Sequence, residues 1–336
     1  MKAREKKVKK KNTQKKKTQE KKTQEKACSY NSIIKYSRRK NFVEIAAQIV
    51  FTVCASFAIL AVASIALYMI LSGTPALFQV GLKEILFTTA WEPTAEEPKY
   101  GILYVILTSV VGTGLAIFIG VPVGVLTAVF LAEVADKRVA AAARSAVELL
   151  AGIPSVIYGL LGIYLLNPLM YKLELTLFRD SRTHQFTGGS NLMSAVLVLA
   201  IMILPTVINI SETSIRAVHP SIKEGSLALG GSQIQTIFGV ILPAAKSGIV
   251  TAVVLGVGRA IGEAMAITLV SGGSVNSPLP FHSVRFLTTA IVSEMGYSSG
   301  THRQMLFTIG LVLFVFITII NIVLTQILKG GTEKNG

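Results

Sequence analysis

Residues 224–230 read EGSLALG, and after nine further residues the chain reads VILP at 240–243. Pro220 favours the first turn of a short helix, because its fixed φ suits that position and its missing N–H is not needed there. Gly230 favours a left-handed or tight turn that ends this helix. Apolar residues from Ile234 onward begin a second short helix. The pattern predicts a helix–glycine turn–helix element between two apolar segments, at a membrane surface.

This element has two interpretations from its local sequence. It is either a docking site for a soluble partner or an ordinary loop between membrane helices. An ordinary loop does not need apolar residues at helical spacing bounded by proline and glycine, so the pattern favours docking.

The stretch resembles the coupling loop, or EAA motif, of ABC-importer permeases, which reads Glu-Ala-Ala, three residues, Gly, nine residues, Ile-x-Leu-Pro. Glu224, Gly230, Leu242 and Pro243 match that pattern in place, and the other three positions carry small or conservative changes. The resemblance implies that the loop 212–243 inserts into a groove on an ATPase subunit and passes its movement to the membrane helices.

Composition indicates a membrane protein. Of the 336 residues, 51% are hydrophobic and 15% are charged, with a mean hydropathy of +0.59, whereas soluble domains carry about 25% charged residues. The net charge of +15 is concentrated in residues 1–40, which hold 17 Lys and Arg against 3 Glu. Because the rest of the chain is nearly balanced, the basicity does not indicate nucleic-acid binding.

The basic tail, residues 1–40, is of low complexity, with KKTQE at 16–20 repeated at 21–25. It has too few apolar residues to offset chain entropy, which predicts disorder to about residue 30. Two interpretations stay open, a polybasic segment held against anionic lipid and a solvated cytoplasmic tail that sets topology. The order of features in a secretory signal is not present.

A membrane helix needs about 20 apolar residues. Six segments within residues 41–330 meet this requirement, at 45–71, 102–131, 147–167, 192–210, 247–270 and 304–328. The third is interrupted at 152–155, so it is either one broken helix or a surface helix followed by a short span. A break at membrane depth must face protein or a cavity. The fold class predicted is an all-α integral membrane protein with six transmembrane helices.

Lysine and arginine residues set the predicted orientation. They dominate the tail, occur in the turn 133–146 and in the coupling loop, and are balanced by acids in the opposite loops. The positive-inside rule therefore places the coupling loop and both termini in the cytoplasm.

Arg259 and Glu263 lie inside the fifth apolar segment, in the sequence GVGRAIGEAM at 256–265. In a continuous helix, residues four apart share one face and can pair. Charges at this depth are costly and normally face the bundle interior or water, and the glycines allow close approach of a helix or a solute. Arg259 is thus a candidate for attracting an anion on a translocation pathway, with Glu263 orienting it. The alternative is a structural ion pair, and the residues alone indicate an anion or a proton.

Residues 83–330 resemble phosphate-importer permeases of the PstC type. The matching stretches are WEP at 91–93 with YG at 100–101, LAGIPSVIYG at 150–159, and GRAIGEAMA at 258–266. The resemblance implies a type I ABC-importer permease with the MetI-like fold, and a role of Arg259 and Glu263 in phosphate translocation. Residues 1–40 depart from any shared pattern.

The sequence contains no Gly-Lys dipeptide and so no Walker A phosphate loop. No catalytic constellation is evident, and the two cysteines and four scattered histidines form no metal pattern. The chain is therefore expected to carry no cofactor and to leave ATP hydrolysis to a separate chain. The resemblance implies a PstA-like second permease, two PstB-like ATPase subunits and an extracytoplasmic PstS-like phosphate-binding protein, all at the plasma membrane.

Three other functions are compatible with parts of the pattern. The same fold could carry another oxyanion, such as molybdate or sulfate. A proton-coupled secondary transporter would use Glu263 as its titrating group, but the two halves show no obvious inverted repeat. A membrane scaffold does not account for charges inside the membrane.

Overall fold

The computed structural model describes residues 44–332, without the side chains of 324, 325 and 327–332. The predicted disordered tail, residues 1–40, lies outside the described residues. The described part is built from helices, short π-helical segments and a two-stranded antiparallel sheet in which Trp91 is opposite Tyr100.

The elements follow one another in this order. The helices are α1 Glu44–Val80, α2 Leu82–Phe87, α3 Leu103–Val129, α4 Lys137–Gly152, α5 Ser155–Leu161, α6 Asn167–Leu177, α7 Leu192–Arg216, α8 Pro220–Ala228, α9 Gln233–Thr236, α10 Leu242–Ala244, α11 Lys246–Gly262, α12 Met265–Val270, α13 Leu287–Glu294 and α14 Gly300–Thr332. The strands are β1 Trp91–Glu92 and β2 Lys99–Tyr100, and the π-helical segments are Phe130–Val134, Gly162–Leu166 and Ile237–Ile241.

Five helical segments among the described residues are long and apolar enough to cross a membrane. They are Glu44–Val80, Leu103–Val134, Ser155–Leu177, Leu192–Arg216 and Gly300–Val323. A sixth candidate is the pair Gln233–Ala244 and Lys246–Gly262, which is bent by 69° at its junction.

The chain divides into two compact units, residues 1–67 and 68–336. The described part of the first unit is the beginning of α1, whose large apolar side chains are exposed, Phe51 to 71% and Phe57 to 74%. Such a surface suits contact with lipid. The second unit contains all the other elements.

The core of the second unit lies where α3, α7 and α11 meet. Gly120 and Gly124 of α3 pack directly on Ile203 and Val207 of α7, so closely that an added Cβ would overlap them. Small residues at this interface allow the two helix backbones to approach.

Helices α3 and α7 run in the same direction, since Gly112 and Gly124 of α3 lie against Leu192 and Val207 of α7, whereas α11 runs the opposite way, with Gly248 against Ser214. The end of this core near α13 is called here the α13 end, and the end near α8 is called the α8 end.

The third apolar helix differs from its predicted bounds. It spans 155–177 instead of 147–167, and α4 is a separate helix that ends at Gly152. Ile153 and Pro154 are extended, because a proline disfavours helical geometry in the residue before it. Of the two alternatives left open by the sequence, the structure has the surface helix followed by a span.

Other bounds also differ. Helix α7 continues to Arg216 instead of 210, so 212–216 of the predicted coupling loop are helical. Helix α11 ends at Gly262 instead of 270, and α12 follows after a break. Helix α1 extends nine residues beyond the predicted 71, to Val80, and α14 begins at Gly300 instead of 304.

Gly189 is expected to be essential for stability of the loop before α7. Its φ is 84°, and an added Cβ would overlap the backbone carbonyl of Asn167. We expect Gly189→Ala to lower the free energy of unfolding by about 3 kcal/mol, from left-handed strain plus overpacking. Gly188 has a φ of 65° and open space around it, so Gly188→Ala should cost only about 1 kcal/mol. Thermal unfolding of the detergent-purified variants measures both, and equal losses would contradict this account.

Candidate functional site

The site begins at the break between α11 and α12. Helix α11 ends at Gly262, after which Glu263 is extended and Ala264 leaves helical geometry with φ −127° and ψ −49°. Arg259 lies in the last turn of α11, about 20 Å along the helix axis from Lys246. A cation is favourable in that turn because of the helix dipole.

The predicted ion pair between Arg259 and Glu263 is wrong. Because Glu263 has left the helix, its side chain no longer shares a face with Arg259. Its carboxylate instead accepts a hydrogen bond from the backbone N–H of Ala266, with N···O 3.0 Å. Among the side chains that the structure describes, none forms an ion pair with Arg259.

A second helix break lies beside the first. The Tyr158 hydroxyl donates to the Leu150 carbonyl at 2.7 Å and so spans the break between α4 and α5. Tyr158 is near enough to Arg259 for the two to interact electrostatically, and Gly159 packs on the backbone of Ala266. Arg259, which forms no ion pair with the side chains that the structure describes, therefore lies near both helix breaks, an arrangement suited to attracting an anion.

The backbone of the first break is held by a neighbouring helix. The Thr288 hydroxyl of α13 donates to the Glu263 carbonyl at 2.7 Å. The preceding residue, Leu287, donates its N–H to the Ser109 hydroxyl of α3 at 2.9 Å. These contacts connect the break to α13 and α3.

The helix–glycine turn–helix prediction for the stretch after Pro220 is confirmed. Pro220 begins α8, Gly230 has a φ of 87°, and a capping box between Ser232 and Gln235 begins α9. Of the coupling-loop residues, Glu224 and Pro243 are exposed, and Leu242 is half-buried.

Apolar side chains project from this element. Leu229 is 92% exposed, Ile234 70% and Phe238 54%. Three exposed apolar residues on a helical hairpin make a surface suited to insertion into a groove. We call residues 220–243 the coupling element.

Known proteins similar to this chain identify its family. Residues 120–330 match the family of binding-protein-dependent transport system inner membrane components. The chain belongs to this family. It is therefore a multi-pass membrane permease subunit, a transport component, of an ABC transporter.

Two relatives illustrate the match. The probable ABC transporter permease protein YqgH of Bacillus subtilis is 35% identical over 288 residues, which cover 84% of this chain and 90% of that protein. The phosphate transport system permease protein PstC of Haemophilus influenzae is 35% identical over 245 residues, covering 70% of this chain and 77% of that protein. PstC proteins are thus among its relatives, as the sequence resemblance indicated.

A solved structure agrees in fold. A permease chain of a bacterial ABC transporter involved in the import of alginate superposes with a TM-score of 0.52 at 18% identity, covering 79% of this chain and 95% of that one. The predicted type I ABC-importer architecture, all-α and membrane-spanning, is confirmed.

In the permease, the coupling element is attached to the helix core by polar contacts. Lys223 pairs with Glu133 at 2.5 Å, and Gln233 donates to the Glu133 carbonyl at 3.3 Å. Within the element, the hydroxyls of Ser226 and Thr236 are 2.9 Å apart. The coupling element therefore contacts the π-helical segment Phe130–Val134 that follows α3, and it leads through α10 into α11.

Glu212 forms a second connection at the α8 end. It is buried near the end of α7 and pairs with Arg144 of α4 at 2.5 Å and with Arg216 at 2.8 Å. Arg216 also donates to the Leu131 carbonyl at 2.7 Å. The Glu212 carboxylate raises the pKa of Arg144 through their hydrogen bond. Sequence reasoning missed this cluster because its members are up to 85 residues apart.

At the α13 end, the buried carboxylate of Glu294 has three polar partners. Glu294 accepts from the Trp91 ring N–H at 3.1 Å, pairs with Arg285, and lies 2.7 Å from the His302 ring nitrogen. These residues line an open cleft of about 690 Å³. Trp91, the first residue of the WEP stretch, thus joins the β1–β2 hairpin to α13 and α14.

A second buried carboxylate holds the loop before α7. Glu174 is fully buried and accepts from the backbone N–H of Thr187 at 3.0 Å, while the His184 ring nitrogen lies 2.8 Å away. His184 also stacks on Phe178 with ring centroids 3.9 Å apart. The loops at this end are therefore fixed by polar contacts as well as by packing.

Proposed function

We propose that this permease is a subunit of an ATP-driven importer and translocates inorganic phosphate across the plasma membrane by alternating access. The observation that carries the proposal is Arg259 near two helix breaks, without an ion pair to any described side chain. The PstC-named relatives support phosphate as the solute.

Arg259 has the chemistry that phosphate recognition requires. A guanidinium presents a planar set of donors that matches two phosphate oxygens, and it stays charged at any physiological pH. Around the neighbouring Gly258 and Gly262, a Cβ would meet no atom of the described chain. The α11 surface at these two glycines is therefore open within this chain and could admit a solute or a partner helix. A single cation with no further charge gives an anion site weak enough to release its solute.

The transport cycle needs partners that supply energy and solute. ATP would bind and be hydrolysed on two PstB-like subunits, so this chain itself would need no cofactor. A PstA-like subunit would complete the pathway, and a PstS-like protein would deliver phosphate from outside. The coupling element, with Glu224, Gly230, Leu242 and Pro243, would transmit closure of the ATPase pair to α11. Both termini would be cytoplasmic, as the coupling element must face the ATPases.

Radiolabelled phosphate uptake tests the solute. Cells that lack their other phosphate importers would express this chain with its neighbouring permease, ATPase and binding protein. We expect uptake that depends on this chain and resists a large excess of sulfate or molybdate. Uptake abolished by either competitor would keep the permease function and change the solute. Absence of any phosphate uptake by an assembled complex would refute the proposal.

A further inference from the structure

We propose that Glu133 is a positioning residue for energy coupling, which fixes both arms of the coupling element against the segment that follows α3. The inference rests on the function proposed above, in which ATPase subunits dock on this element. It adds the contact through which their movement would reach the helix core. Glu133 lies in the π-helical segment Phe130–Val134, and its side chain is only 9% exposed.

Both covalent connections of the coupling element to the helix core are bent. Helix α7 ends at Arg216, and the chain passes through His219, whose backbone is extended, before α8 begins. At the other connection, Gln233–Ala244 and Lys246–Gly262 meet at 69°. An element joined to a core by two bent connections can rotate about them instead of displacing the core. Contacts outside these connections are therefore needed to fix its orientation.

Glu133 contacts both arms of the coupling element. Its carboxylate pairs with Lys223 Nζ of α8 at 2.5 Å, and its backbone carbonyl accepts from Gln233 Nε2 of α9 at 3.3 Å. The last carbonyls of a helical segment have no partner within that segment, so a side-chain donor is favourable there. One residue after α3 thus contacts the helices on both sides of the glycine turn.

An apolar cluster joins the same elements. Ile237 and Ile241, in the π-helical segment after α9, are buried in one cluster with Val129 at the end of α3. Apolar burial is not directional, whereas a charge-assisted hydrogen bond has a defined geometry. We therefore assign cohesion of this junction to the apolar cluster and its orientation to the contacts of Glu133.

The two partners of the ion pair differ in exposure, at 9% for the Glu133 side chain and 38% for that of Lys223. Lys223→Met keeps an apolar stem but leaves the buried carboxylate without its cation, so we expect phosphate transported per ATP hydrolysed to fall about tenfold. Glu133→Gln leaves a lysine that can turn to water, so the same ratio should fall about fivefold.

The ratio is measured with the purified importer in vesicles, and ATPase retention and thermal unfolding of the complex are measured in parallel. The exposed tip at Leu229 is unchanged in these variants. ATPase retention and the rate of ATP hydrolysis should therefore stay within about twofold of wild type. A purely structural role would lower complex stability, ATPase retention and transport together.

The deciding variant combines Glu133→Gln with Lys223→Met. If the two side chains act through one contact, the ratio should stay about tenfold below wild type, whereas independent roles would multiply the losses to about fiftyfold. Lys246→Met is the matched control. It makes the same change at an exposed lysine of the α8 end that forms no ion pair with a described side chain, and it should leave the ratio unchanged.

Four results would overturn the proposal. They are a wild-type ratio in Lys223→Met, multiplied losses in the combination, an equal loss in Lys246→Met, and loss of ATPase retention or complex stability in step with transport.

A Glu133→Gln variant that is missing from the membrane leaves the decision to Lys223→Arg. Arginine keeps the charge, so the ratio should stay within about twofold of wild type, and a loss equal to that of Lys223→Met would overturn the proposal. If the wild-type importer carries another oxyanion, the same ratio is measured with that solute. Failure of the phosphate assignment is thereby separated from failure of the Glu133 contact.

Discussion

Arg259→Ala is expected to reduce phosphate uptake about a hundredfold, with the permease still present in the membrane. Arg259 is the cation between the two helix breaks and forms no ion pair with the side chains that the structure describes. A charge-assisted hydrogen bond to a desolvated anion contributes about 1.5–3 kcal/mol, and bidentate contact contributes more. Because Arg259 forms no ion pair with a described side chain, the protein should lose little stability.

Two further variants sharpen this prediction. Arg259→Lys keeps the charge and loses the planar pair of donors, so uptake should be intermediate. Arg303→Ala removes an exposed arginine at the start of α14 and should leave uptake unchanged. Undiminished uptake in Arg259→Ala would make Arg259 a structural residue and remove the anion site from the account.

Leu229→Asp is expected to separate the permease from its ATPase subunits. Leu229 is 92% exposed at the tip of the coupling element, next to the glycine turn. A buried anchor at the centre of an interface typically contributes at least about 2 kcal/mol, and a buried unpaired carboxylate adds a further cost. We expect ATPase retention to fall about thirtyfold or more on co-purification with the tagged permease.

The control for this prediction is Leu229→Met, which keeps an apolar side chain of similar volume and should retain the ATPase. Since Leu229 is exposed within this chain, neither variant should change the membrane level of the permease. Full ATPase retention by Leu229→Asp would show that the exposed tip is not the docking surface.

Local features of the fold could be predicted where single residues determine the backbone. Pro220 and Gly230 fixed the beginning and end of α8, and the structure has both. Pro154 in the same way ends the helical geometry after α4. These predictions succeeded because proline and glycine act on their own φ and on their direct neighbours.

Bounds set by tertiary contacts could not be predicted. Local hydropathy predicts that the fourth span ends at 210, before Glu212, because an isolated charge is costly in a membrane. In the fold, Arg144 and Arg216 pair with that carboxylate, and α7 continues past it to Arg216. A partner 68 residues away cannot be read from local hydropathy.

The assignment of Arg259 and Glu263 to a translocation site stays a prediction, whereas the ion pair expected between them is absent from the described side chains. The spacing of Arg259 and Glu263 fits an ion pair only if the helix is continuous. The structure instead breaks the helix after Gly262, and the Thr288 hydroxyl, from another helix, donates to the Glu263 carbonyl at the break. Tyr158 belongs to the LAGIPSVIYG stretch at 150–159, and nothing in that sequence shows that it lies near Arg259.

Phosphate accumulation in reconstituted vesicles is the most direct test of the central claim. The purified importer, with this chain as one permease subunit, would be placed in vesicles with ATP sealed on the side of the coupling element and the loaded binding protein on the other side. We expect phosphate accumulation that requires ATP and the binding protein and is lost in Arg259→Ala. Equal accumulation without ATP, driven by an imposed proton gradient, would contradict it.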